Sequence, residues 1–84
     1  MNHRASTRFW KAYDALPDRV RERADQAFAL LRRDPRHASL RFKKVADFWS
    51  VRVDRDFRAL GIEDADGIVW IWIGSHADYE RLIG

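Results

Sequence analysis

Eighty-four residues make one domain, and so short a chain buries only a modest core. With no cysteine there is neither a disulfide framework nor a thiolate metal site, and no apolar run approaches the roughly 20 residues of a membrane span. Residues 1–58 carry 15 Lys/Arg against 8 Asp/Glu, whereas residues 59–84 carry one Arg against five acids; this basic body suits a polyanion or an acidic protein, or simply a solvated surface.

The start, MNHRASTRFW, lacks the apolar core of a signal peptide, and the expectation is a cytoplasmic protein. Thr7 to Leu16 places Phe9, Tyr13 and Leu16 on one helical face, with Ser6 as N-cap. Pro17 breaks that run and can open the next helix, which the pattern carries to about Arg33. Val20, Ala24, Ala27, Phe28 and Leu31 form its apolar stripe. Two helices joined this closely form an antiparallel hairpin.

After Ser39 the period changes from helical to alternating. Leu40 to Val45 reads as a short strand, Phe48 to Val53 as a second and Phe57 to Ile62 as a third. Asp64-Ala65-Asp66-Gly67 is a turn signal. Ile68 to Ile73 is apolar on both faces and reads as a central strand, with Trp70 and Trp72 on one face and Val69, Ile71 and Ile73 on the other. Trp10, Trp70 and Trp72 read as core residues. Ser75 then caps a last helical turn, His76 to Leu82. The fold class is α+β: an N-terminal antiparallel helical hairpin packed on a three- to four-stranded antiparallel sheet, with a short C-terminal helix. The other sheet face is left open as a site.

Arginine placement carries the most chemistry. If Val53 pairs with Phe57 across the loop Asp54-Arg55-Asp56, Arg52 lies opposite Arg58. Facing like charges destabilise a sheet, so an anion such as phosphate between the two guanidinium forks would explain the pair. A two-residue loop would instead put them on opposite faces, as surface arginines near Asp47, Asp54 or Asp56. In LRFKKV, Arg41 and Lys43 share one side, Phe42 and Lys44 the other. Cations interleaved with an aromatic suit single-stranded nucleic acid, and equally suit a charged edge strand that discourages aggregation. His76 begins a helical turn with Tyr79 three residues on, either a proton-transfer pair or a surface histidine beside a packing tyrosine. No histidine spacing offers a metal site, and no phosphate-binding glycine loop occurs.

The hairpin joined by LPDRV, the segment LRFKKV, and the runs FWSVRVDRDFRAL and WIGSHADYERL resemble the RelE/ParE superfamily of bacterial type II toxins, RelE-like members above all. The resemblance spans roughly Phe9 to Leu82. It implies a messenger-RNA endonuclease acting on or off the ribosome, arresting growth by blocking translation, needing no metal or other cofactor, and neutralised by a cognate antitoxin. It implies catalytic roles for Arg52 (phosphate binding), Arg58 (transition-state charge), His76 (general acid or base) and Tyr79 (stacking on or orienting substrate). Arg41, Lys43, Lys44 and Trp49 become RNA-binding candidates. Family members usually open with a strand that this chain is not expected to have. The ParE branch poisons DNA gyrase and cleaves nothing, so a gyrase inhibitor stands as an alternative, as does a non-catalytic nucleic-acid or antitoxin-binding module. Arg58, read as a surface charge, is expected to be replaceable without harm to the fold.

Overall fold

The computed structural model describes residues 2–84. β1 (Asn2–Ala5) leads into α1 (Thr7–Asp14) and α2 (Asp18–Arg33); a 3₁₀ turn (Ala38–Leu40) precedes β2 (Lys43–Val45), β3 (Phe48–Arg52), β4 (Phe57–Asp64), β5 (Gly67–Ser75) and α3 (His76–Ile83). The Ser6 hydroxyl accepts the Phe9 amide and starts α1, as expected of that residue. Phe9 packs edge-on against Phe28, and the Tyr13 hydroxyl donates to Asp25, so the two helices run antiparallel.

The sheet has five strands in the order β1-β5-β4-β3-β2. The meander β2 to β5 is antiparallel throughout. β1 is the strand the sequence did not announce: it pairs parallel with β5, from Asn2 opposite Gly67 to Ala5 opposite Trp70. Its four residues, NHRA, carry no apolar alternation. Long-range bonds hold it instead: the Ser6 amide to the Trp70 carbonyl (2.9 Å), the Trp70 indole N–H to His3 Nδ1 (3.1 Å) and an Arg4–Asp64 ion pair.

One sheet face packs on the hairpin. Phe9, Val20, Ala24, Leu31, Val51, Ala59, Ile68, Trp70 and Ile73 form the buried core. Trp70 and Trp72 do not share a face as expected. Gly61 pairs with Trp70 but Leu60 with Trp72, so Ile71 is the extra residue of a bulge. The period slips there by one: Ile68, Trp70 and Ile73 are buried, while Trp72 is turned to the other face with Leu60 and Ser50. Trp10, expected in the core, is half-exposed, covering only the edges of Phe9 and Tyr13.

Leu40 does not begin a strand. His37 Nδ1 accepts the Ser39 amide, a 3₁₀ turn follows, and Leu40 is buried; Arg41, in the left-handed region at φ 44°, ψ 42°, redirects the chain into β2. Among the described residues no helix is long and apolar enough to cross a membrane.

Candidate active site

Of the two loops the sequence allowed, the three-residue one forms: the Val53 amide donates to the Phe57 carbonyl (3.1 Å), and the Asp54 carboxylate accepts the Asp56 amide (2.8 Å) in a self-bonded turn. Arg52 is therefore directly opposite Arg58. Both point away from the hairpin-facing core, on the face that carries Ser50 and Leu60. Across Arg58 on its other side stands Gly74, whose missing side chain leaves room for the Trp72 ring to lie over it.

α3 roofs part of this face. The Ser75 hydroxyl accepts the Asp78 amide (3.1 Å) and starts the helix, while the Asp78 carboxylate pairs with Arg81 and does not close a capping box. The His76 amide donates to the Asp56 carbonyl (2.7 Å), tying the helix start to the β3–β4 loop and so to the arginine pair. Strand, loop and helix enclose a concavity of about 240 Å³ lined by Arg41, Lys43, Ser50, Arg52, Arg58, His76, Tyr79 and Glu80.

Six of the eight residues singled out from the sequence thus meet in one hollow: Arg41, Lys43, Arg52, Arg58, His76 and Tyr79. Lys44 and Trp49 do not. They pair with each other on the opposite, helix-facing side of the sheet, because alternation sends neighbours of Lys43 and Ser50 the other way. The Trp49 ring stacks on Phe42 at 4.8 Å, and its N–H donates to Glu63 (2.9 Å). Neither has a surface in common with the arginine pair.

Electrostatically the hollow is loaded. No acid lies within ion-pair distance of Arg41, Lys43, Arg52 or Arg58 among the described residues. Burial, and then the neighbouring Arg52 charge, push Arg58 below the usual arginine value. Arg58 remains a cation, and an anion would relieve the strain of holding it there. It is also bound to the backbone, donating to the carbonyls of Asp54 (2.6 Å) and Phe57 (2.9 Å). It is not the free surface charge that the sequence implied.

Tyr79 is buried, its ring 5.8 Å from that of His76, and its hydroxyl accepts from Ser50 (3.1 Å). A ring only 6% exposed has no free face for a base to stack on, so what it offers the hollow is its hydroxyl edge. His76 Nε2 lies 3.2 Å from Glu80 Oε1, one turn along α3. Ser50 and Glu80 are the site residues that sequence reasoning passed over. Ser50 shares a strand face with Arg52, and Glu80 is four residues from His76, so both spacings were present to be read.

A sequence model described as the ParE-like toxin domain matches residues 18–81, which include the arginine pair, His76 and Tyr79. No curated protein matches the sequence. Solved structures with the same fold include YafQ from E. coli strain BL21(DE3), at TM-score 0.73 and 15% identity over 99% of this chain and 98% of that one. The RelB-RelE antitoxin-toxin complex from Methanococcus jannaschii matches at TM-score 0.72 and 13% identity over 96% and 99%. The YoeB/ParE toxin from Agrobacterium tumefaciens matches at TM-score 0.66 and 17% identity over 90% and 99%. With an opening β1, a helical hairpin, an antiparallel meander and a closing α3, and with three-quarters of its length matched in sequence, this chain belongs to the ParE-like toxin domain family of the RelE/ParE superfamily.

Proposed function

We propose that the protein is the toxin of a type II toxin-antitoxin system and a metal-independent endoribonuclease that cuts messenger RNA and so inhibits translation. The observation that carries this is the pairing of Arg52 with Arg58 in a hollow that also holds His76. Facing guanidinium groups without carboxylate partners are costly unless an anion joins them.

In this reading the scissile phosphate lies between the two arginines. The adjacent ribose 2′-oxygen attacks phosphorus, the bond to the 5′-oxygen breaks, and the products are a 2′,3′-cyclic phosphate and a 5′-hydroxyl. The extra negative charge of the transition state falls on the oxygens facing Arg52 and Arg58, where fixed positive charge is most effective. His76 transfers a proton at the 2′- or 5′-oxygen, with Glu80 orienting its ring. Tyr79 acts as a positioning residue through its hydroxyl, anchored by Ser50. Arg41 and Lys43 hold neighbouring phosphates at the rim. A cognate antitoxin is the expected partner: RelB-RelE structures resembling this chain are antitoxin-toxin complexes, and an acidic segment laid over the hollow would mask its cations.

Arg52→Ala is the clean test, because the Arg52 guanidinium has no hydrogen-bond or ion-pair partner among the described residues, so its loss should leave the fold unharmed. Cleavage of a messenger RNA in EDTA, with or without ribosomes, is expected to fall by about 10²–10³-fold, with growth arrest lost alongside. Undiminished cleavage by that variant would refute the scheme. The ParE-like description of the matched domain favours a second reading, inhibition of DNA gyrase. A supercoiling assay beside the RNA assay separates them: the first reading predicts signal only with RNA, the second only with gyrase.

A further inference from the structure

A second hollow, about 520 Å³, lies between α2 and the β3–β4 loop. Arg19, Arg23, Arg52 and Arg55 line it above a floor that includes Ala27, Leu30, Leu40 and Val53. Arg52 lines the first hollow as well and is the residue the two linings share. We infer that this groove binds the flank of a single-stranded nucleic acid whose central phosphate sits between Arg52 and Arg58, Arg19, Arg23 and Arg55 taking the phosphates beyond it. The assignment of RNA rests on the endonuclease reading above.

Four observations support it. First, none of the four arginines has a carboxylate within ion-pair distance among the described residues, although the neighbouring Arg21 pairs with Asp18. Second, Arg19 and Arg23 are one helical turn apart and repel each other along α2, a cost that an anion between them would remove. Third, of the two acids at the rim, Asp54 is turned onto its own loop, accepting the Asp56 amide. Fourth, the volume lies within the roughly 300–1,000 Å³ typical of small-ligand sites, room for a nucleotide, and an apolar floor beneath guanidinium groups suits a base below a phosphate.

Charge favours a nucleic acid over a peptide strand: four arginines and two acids line the groove, and although β4 is paired on both sides, β3 meets β2 only as far as Ser50. The first hollow is bounded by α3 at Tyr79, Glu80 and Ile83 and by edge strand β2 at Lys43 and Val45, and Arg52 is where its lining meets that of the groove.

The test uses the full chain with Arg19→Ala/Arg23→Ala and, separately, Arg55→Ala, each with its melting temperature checked. The probes are a trimer and a decamer of 2′-O-methyl RNA, which bind but offer no free 2′-hydroxyl for cleavage, titrated across potassium chloride concentrations. Decamer affinity is expected to fall about tenfold in the double variant, and its salt slope by about 0.7 per phosphate released. Trimer affinity is expected to stay as in the parent. Unchanged decamer affinity and slope would overturn the inference. So would equal losses for trimer and decamer, or loss of affinity for a decaglutamate peptide with decamer binding intact, which would make the groove a protein-docking surface. Cleavage of unmodified RNA by the parent keeps the two claims apart. No cleavage with the length-dependent loss intact would sink the endonuclease and leave the groove; cleavage with no such loss would do the reverse.

Discussion

Arg58 is held by the backbone of its own hairpin, and that decides what its removal costs. Truncation removes the bonds to the Asp54 and Phe57 carbonyls as well as the charge, although the Phe57 carbonyl keeps the Val53 amide. Arg58→Ala is therefore expected to cost about 1 kcal/mol or more, a melting-temperature loss of about 4–8 °C read by calorimetry, beside which Arg52→Ala is nearly neutral. Arg41 offers the opposite separation. It sits at φ 44°, ψ 42°, a region that penalises any side chain with a Cβ. Arg41→Gly is expected to weaken RNA binding while leaving stability unchanged or raised by up to about 1 kcal/mol; a denaturant titration beside a binding curve checks both. His3 supplies a pH dependence. Burial, and then the charge of Arg32, hold its pKa below 6.5 while its Nδ1 accepts the Trp70 indole N–H. Above pH 6.5 both folded and unfolded chains carry it neutral, so its contribution is complete. As pH falls below 6.5 the unfolded chain takes up a proton that the folded chain resists, and stability declines until the folded pKa is reached. His3→Gln is expected to flatten that decline in melting temperatures measured between about pH 7 and 5.

At the scale of elements, β5 does the most to position the site, and its bulge is what lets it. The inserted Ile71 sends Trp70 and Ile73 into the core and Trp72 to the face that bears Arg58. Gly61 is the counterpart on β4. A Cβ there would lie 2.5 Å from Ile68 Cγ2 and 3.0 Å from the Trp70 ring, both fully buried and unable to retreat. Gly61→Ala is expected to cost about 1–3 kcal/mol by overpacking, with a lowered denaturation midpoint as the readout. The β3–β4 loop works differently. Its parity alone sets which way Arg58 points, and the bond from the His76 amide to the Asp56 carbonyl ties α3 to the same turn. Arginine pair and histidine are thus positioned by one three-residue loop.

The whole molecule is one five-stranded sheet with a helical hairpin on one side and a short helix half-covering the other. Its two edges are handled differently. β2 is short and lysine-bearing, a poor template for another chain. β5 is long and apolar, and is shielded over Gly67–Trp70 by β1. Removing residues 2–5 is expected to expose that edge, lower stability and produce concentration-dependent association, visible by light scattering. Much of this plan was legible. Ser6 announced α1, the stripe Val20–Leu31 announced α2, and the turn residues Asp54–Asp56 announced the β3–β4 hairpin but not its loop length, on which the shared face of Arg52 and Arg58 depends. β1 was not legible, because four residues paired in parallel at an edge need no apolar alternation. Nor was the bulge, since a strand apolar on both faces has no period to break.

The sequence by itself determined the helical hairpin and the meander, because each depends on residues close together along the chain, a cap, a stripe or a run of alternation; it left the facing arginines as one of two outcomes, which the bond from the Val53 amide to the Phe57 carbonyl decided. Only the tertiary structure decided that β1 completes the sheet, that Tyr79 is buried against Ser50, that Lys44 and Trp49 fall outside the hollow, and that Arg52 lines two basic hollows. Those outcomes depend on packing between segments tens of residues apart, where shape and unsatisfied hydrogen bonds choose the neighbour and local periodicity carries no information.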